Sequence, residues 1–139
     1  MKRLLIFTAL LLFAGIVFGQ TFQKGSFLKI HHLTITLKPG VTMDQYLEFT
    51  INTFIPEFEK HFPGVKAYIM QGGSGDHTND TDYASLCYIE SAEVFNKYFD
   101  AKGNFNEGGF AAIEKLSPTI EKLQELVIED RKEYGWMIL

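Results

Sequence analysis

The sequence predicts an α+β domain, a four-stranded antiparallel sheet with helices on one of its faces. Three observations carry this. The apolar periodicity reads strand, helix, strand, strand, helices, strand along the chain. Residues of the strands alternate sides, and one side collects aliphatic residues of the kind helices pack on. A single cysteine, Cys87, in 139 residues leaves folding to an apolar core with no internal disulfide.

The first 19 residues stand apart. Lys2 and Arg3 form a short positive start, and Leu4 to Phe18 is apolar apart from Thr8 and Gly15. Val17 and Gly19 suit a signal peptidase site, so residues 1–19 are expected to be a secretory signal and residues 20–139 a single domain. An uncleaved anchor is the other reading, although about 15 apolar residues fall short of the roughly 20 that span a bilayer. No cysteine follows the apolar run, which argues against a lipid anchor. Losing Lys2 and Arg3 from 13 basic residues leaves 11 against 17 acidic, a net charge of −6. Nucleic acid and anionic membrane surfaces both select basic proteins, so neither is an expected partner. The expected location is extracytoplasmic, in a bacterial periplasm or outside the cell.

Phe27 to Leu37 is the longest run of strand formers, and Pro39-Gly40 closes it. Thr42 is an N-cap, Gln45 completes a capping box, and Val41 with Tyr46 forms the accompanying staple. Met43, Leu47, Ile51, Phe54, Phe58 and Phe62 then follow helical spacing. Pro56 interrupts this run and is expected to kink the helix or restart it. Pro63-Gly64 ends it. Val65 to Gln71 and Asp82 to Glu90 read as a pair of strands joined by the polar loop Gly72 to Thr81. Asp76, His77, Asp80 and Asp82 sit in or beside that loop, but they do not follow the calcium-loop pattern, and no metal site is expected. Nor does the loop have the Gly-Lys-Ser/Thr of a phosphate loop.

Ser91 caps a helix with Val94, Phe95, Tyr98 and Phe99 on one side. Ala101 to Gly109 reads as a break, and Ser117-Pro118 as a fresh helical start. Leu116, Ile120, Leu123 and Val127 make a helical stripe. Glu129 to Glu133 reads as a charged turn leading to a last strand, Tyr134 to Leu139.

On one face of the strands lie Leu33, Ile35 and Leu37 with Val65, Ala67, Ile69, Cys87 and Ile89. Cys87 is therefore expected to be a core residue. The other face has Leu28, Ile30, His32, Thr34 and Thr36 with Tyr68, Met70, Leu86 and Tyr88. That face is too apolar to be left in water and too polar for a dry core. Burying about 500 Å² of apolar surface at roughly 25 cal/mol per Å² favours pairing by more than about 10 kcal/mol before association costs. A homodimer is expected.

The run Lys29-Ile-His-His-Leu-Thr-Ile-Thr-Leu-Lys-Pro-Gly-Val41 resembles the opening strand of stress-responsive barrel domains. His61-Phe-Pro-Gly-Val-Lys-Ala-Tyr-Ile-Met-Gln-Gly72 with Tyr83 to Phe99 is similar to uncharacterised barrel proteins of this size. Together with the element order, this resembles the dimeric α+β barrel superfamily. The resemblance implies a ferredoxin-like βαββαβ fold whose sheets pair face to face. Superfamily members include cofactor-independent monooxygenases, haem-degrading enzymes, polyketide cyclases and proteins with no known activity. On that resemblance His31 takes the place of the first-strand histidine, pointing between sheet and helices. No histidine follows His77, so the second histidine of cyclase-type members is missing. The tryptophan–histidine–asparagine pattern of haem degraders is not matched either, and no cofactor is expected.

His31 is the candidate catalytic and ligand-binding residue, with a structural core histidine as the other reading. Tyr68, Tyr88 and Trp136 are candidate ligand-binding aromatics, or else core and interface residues. His32 is expected in the dimer interface, and His61 beside the end of the first long helix. Thirteen phenylalanines imply an apolar cavity and an apolar or aromatic ligand. The functional expectation is an exported dimeric module binding such a molecule. The alternative is a cofactor-independent enzyme, monooxygenase- or polyketide-cyclase-like, with His31 as base.

Overall fold

The computed structural model describes residues 22–72 and 82–137, with side chains to residue 128. The expected signal segment 1–19 and most of the Gly72 to Thr81 loop lie outside the described residues. β1 (Phe27–Leu37) leads through Pro39-Gly40 into α1 (Met43–Phe49), a π turn (Thr50–Phe54) and α2 (Ile55–His61). β2 (Val65–Gln71) and β3 (Asp82–Ile89) follow. Then come α3 (Ala92–Tyr98), α4 (Glu107–Leu126) and β4 (Val127–Met137). The sheet order is β2-β3-β1-β4, with every pairing antiparallel. Two βαβ units interleaved in this order are the ferredoxin-like arrangement, an α+β fold with the helices on one face.

The caps read from the sequence are in place. The Thr42 hydroxyl accepts from the Gln45 N–H at 3.3 Å, and the Gln45 side chain accepts from the Thr42 N–H at 2.9 Å. Ser91 caps α3 by accepting from the Val94 N–H. Pro56 restarts the helix as expected, and the means is the π turn. It ends with the Ile55 N–H bonded to the Thr50 carbonyl, and Pro56 sits in the first turn of α2. The wide turn adds one residue to the helical phase just ahead of the ring. Thr50 is consequently buried, and Ile51, expected on the buried stripe, is 49% exposed.

Three other expectations are corrected. Ser117-Pro118 does not start a helix, because α4 runs unbroken through it. Buried Leu116 and Leu123, one on each side, hold the stripe while Pro118 faces solvent. Ala101 to Gly109 is not broken throughout either. Gly108 and Gly109 lie in the first turn of α4, where a Cβ would run into the Lys97 and Tyr98 carbonyls respectively. Those glycines let α4 approach the end of α3. Finally, Glu129 to Glu133 is no turn. β4 begins at Val127, directly after α4, and pairs along all of β1 from Leu37↔Val127 to Phe27↔Met137. Ladder hydrogen bonds override the turn-like composition, and charges suit an edge strand that must not recruit another chain.

The other edge, β2, is guarded by Glu59 of α2. Its carboxylate accepts from the Ala67 N–H at 3.0 Å and from Lys66 Nζ at 2.6 Å, and that bond raises the Lys66 pKa. Two separate clusters fill the space between sheet and helices. One joins Leu33, Ile35, Tyr46, Tyr83, Leu123 and Val127. The other joins Phe62, Val65, Ile89, Tyr98, Phe99 and Ala112. Phe62 is its centre, with ring centroids 4.5 Å from Phe58 and 4.9 Å from Tyr98.

Candidate functional site

Alternation along β1 sends Phe27, Lys29, His31, Leu33 and Ile35 to the helix-covered side. Phe27 packs on the aromatic cluster, and Leu33 and Ile35 belong to the other. Lys29 and His31 fall between them and belong to neither. Both are half-buried. Across the ladder His31 is the register partner of Ser85 on β3 and of Glu133 on β4. Ser85 is half-buried too, and its own partner on β2 is Ile69. The aliphatic surface expected from the sequence is thus interrupted across its middle by a polar row. Apolar rows flank it, with Tyr83 and Leu33 on one side and Cys87 with Phe27 beyond it on the other.

Lys29, opposite Cys87, leans away from this row. Its Nζ donates to the Gly103 carbonyl at 2.7 Å and lies 4.6 Å from the centre of the Phe99 ring. The loop it pins is ordered by Asp100, whose Oδ1 accepts from the Lys102 and Asn104 N–H groups. The backbone hydrogen bond from Asn104 is the main reason that carboxyl is held below its usual pKa.

The sheet separates the sequence-predicted site residues. His31 lies on the helix-covered side, as expected. Tyr68 lies on the opposite side and is 42% exposed. Tyr88 shares that opposite side but is buried, with its hydroxyl 2.9 Å from the Ser26 hydroxyl and its ring edge-on to Phe22. A turn closed by the Ser26 N–H on the Gln23 carbonyl, with Gly25 at φ 87°, brings Phe22 back over it. Trp136 holds the register position opposite Leu28, on the face away from His31. Among the described side chains, Tyr68 and Tyr88 therefore lie on the face opposite His31. His32 is half-buried on the open face, and His61 Nε2 lies 3.6 Å from Glu57 near the end of α2.

Ser85 is the residue that sequence reasoning missed. Its signal was present in the alternation, two positions from Cys87, but only the β1–β3 register places it beside His31. Asp76, His77 and Asp80 lie outside the described residues. Among the described residues, no group of three or more His, Cys, Asp or Glu is arranged to hold a metal ion. A shallow, open depression of about 410 Å³ lies elsewhere, lined by Gln45, Glu48, Phe49, Asn52, Thr53 and Leu126. It contains none of the candidate site residues.

No protein-family model matches the chain, and no curated protein matches it in sequence. Among solved structures it is similar to SnoaB, a cofactor-independent oxygenase from Streptomyces nogalater. That likeness has 11% identity over 79% of this chain and 91% of the other, with a TM-score of 0.48. A dimeric ferredoxin-like protein of unknown function from Thermobifida fusca has 19% identity, covering 86% and 97% of the two chains, with a TM-score of 0.43. A dimeric protein of unknown function and ferredoxin-like fold from Bacteroides fragilis has 13% identity, covering 85% and 100%, with a TM-score of 0.39. At these identities the likeness is one of strand and helix order.

Proposed function

We propose that this chain is an exported, self-pairing protein that binds a small aromatic or apolar molecule at His31, between the sheet and its helices. The observation that carries the reading is the half-buried polar row of His31 and Ser85 between two apolar clusters. A purely structural sheet is better served by aliphatic residues in a row that helices cover, and this row keeps an imidazole and a hydroxyl at half-buried positions. Apolar clusters on both sides favour an apolar or aromatic body for the ligand.

The open face supports self-pairing. Tyr68, Met70 and Ile128 are exposed there, beside half-buried Leu28, Ile30 and Leu86. A second copy laid sheet to sheet covers these residues and leaves both His31 sites on the outer, helix-covered sides. Export is supported by Lys2-Arg3 and the apolar run to Phe18, and places the work of this protein outside the cytoplasm. A catalytic version of the same site has one observation in its favour, the half-buried position of His31 on the covered face, where an imidazole serves as a single general base.

Thermal melts against a panel of aromatic and polyketide-like compounds test the binding reading. Ligands that raise the melting temperature of the wild type are expected to lose that effect in His31→Gln, with the fold retained. Equal shifts in both proteins would remove the site.

A further inference from the structure

We infer that the apolar run Leu4 to Phe18, while still attached, covers the open face of the sheet, so that self-pairing waits for its removal. This rests on the export and self-pairing readings above and adds to them an order in time. The described chain begins at Phe22, and it begins on the open face. The Phe22 ring stands edge-on to Tyr88 with centroids 5.4 Å apart, and Tyr88 is buried although its side of the sheet carries no described helix. Residues 22–26 form a strap that covers it. Ser26 is wholly buried, and its hydroxyl donates to the Glu90 carbonyl at 3.1 Å and lies 2.9 Å from the Tyr88 hydroxyl. The Ser26 N–H closes a turn on the Gln23 carbonyl, with Gly25 supplying a φ of 87°. Everything before Phe22 is thereby tethered at the end of the face where Leu28 and Tyr88 are register partners.

Only Gly19, Gln20 and Thr21 separate Phe18 from the strap, a reach of about 10 Å. The fifteen residues Leu4 to Phe18 span about 22 Å if helical and about 50 Å if extended. Leu28 to Thr34 of β1 extend about 20 Å, so the run crosses the face in either form. The surface it meets is apolar. Met70 and Ile128 are 39% and 61% exposed there, beside half-buried Leu28, Ile30 and Leu86. The run carries no charged side chain that burial would strip of water. A segment on a short tether meets its site at an effective concentration in the millimolar range, whereas a second copy competes at its own concentration, about micromolar. At equal affinity the tethered run wins by roughly a thousandfold. Cutting the chain before Phe22 removes that competitor, and the same residues then take a second copy. Pairing is in this way confined to protein that has left the cytoplasm.

The experiment compares the full chain, made by cell-free synthesis without membranes so that the leader stays on, with the exported form recovered from an expressing host. Sedimentation gives the mass of each, and a photo-crosslinker, p-benzoylphenylalanine in place of Met70, reports what lies on the face. The exported form should be dimeric and crosslink between copies. The full chain should pair at least about 100-fold more weakly, and its crosslinks should run within one chain to residues 4–18. Leu10→Glu combined with Leu11→Glu keeps the length of the leader but breaks its apolar run. That double variant of the full chain should dimerise like the exported form and lose the internal crosslink. A full chain as dimeric as the exported form would overturn the inference. A monomeric or aggregated full chain whose crosslinker finds no leader residue would also overturn it, as would a double variant that stays monomeric. A monomeric exported form, with the internal crosslink present in the full chain, would overturn the self-pairing reading and leave the leader as the occupant of the face.

Discussion

The two faces of β1 are made from alternate residues of one eleven-residue strand, yet they meet different surroundings. On the covered face, Phe27, Leu33 and Ile35 are locked into two clusters, with Lys29 and His31 set between them. On the open face, Leu28, Ile30 and His32 lie partly exposed, and Thr34 and Thr36 reach water. The covered face is over-determined by helices and has one polar gap. Among the described residues no helix lies over the open face, which remains half-apolar. Buried surface that already has its partner holds the fold, whereas apolar surface without one calls for a second molecule. The proposed ligand binding and the proposed self-pairing can then be changed separately, although they share a strand.

The sharpest break in that comparison is inside the covered face. Phe62 is fully buried, stacked on Phe58 and packed against the tilted rings of Tyr98 and Phe105. Phe62→Ala should cost about 3–5 kcal/mol and lower the melting temperature by roughly 10 °C or more. A melt shifted by only a degree or two would mean the aromatic cluster does not anchor the helices. The open face should respond in another observable. Ile30→Glu places an unpaired charge in the proposed contact between copies, so light scattering should give half the wild-type mass while the circular dichroism of the fold persists. An unchanged mass would move the contact off this face.

The smallest effect concerns the loop pinned by Lys29. Asp100 is fully exposed and its carboxyl pKa is lowered, chiefly by the Asn104 backbone hydrogen bond. A lowered pKa means the contribution is present above the ordinary aspartate value and is lost as pH falls through the lower value of the folded state. Asp100→Asn should therefore make stability less steep below about pH 4 and leave neutral pH nearly unchanged. An identical acid limb in both proteins would show that the carboxylate contributes nothing to the loop.

Much of the fold was legible because its signals are local. Thr42 with Gln45, Ser91 and the alternation of β1 each act within a few residues, and their places in the structure follow from the chain itself. What was hidden depended on distant partners. Glu129 to Glu133 has the composition of a turn and became strand because β1 offers eleven residues of ladder. Gly108 and Gly109 read as breakers, but the demand on them comes from the Lys97 and Tyr98 carbonyls. Phase was hidden as well, since one extra residue in the π turn exchanged Thr50 for Ile51 on the buried side. The site divided in the same way. The side taken by His31 was readable from alternation, whereas its neighbour Ser85 required the β1–β3 register.

Ile30 and His31 are consecutive residues on opposite faces, so one titration with 2-naphthol separates the two roles. The division of labour predicts that Ile30→Glu, although monomeric, keeps wild-type affinity for 2-naphthol, and that His31→Gln, although dimeric, loses it. Binding lost in Ile30→Glu and retained in His31→Gln would contradict the account and place the ligand on the open face.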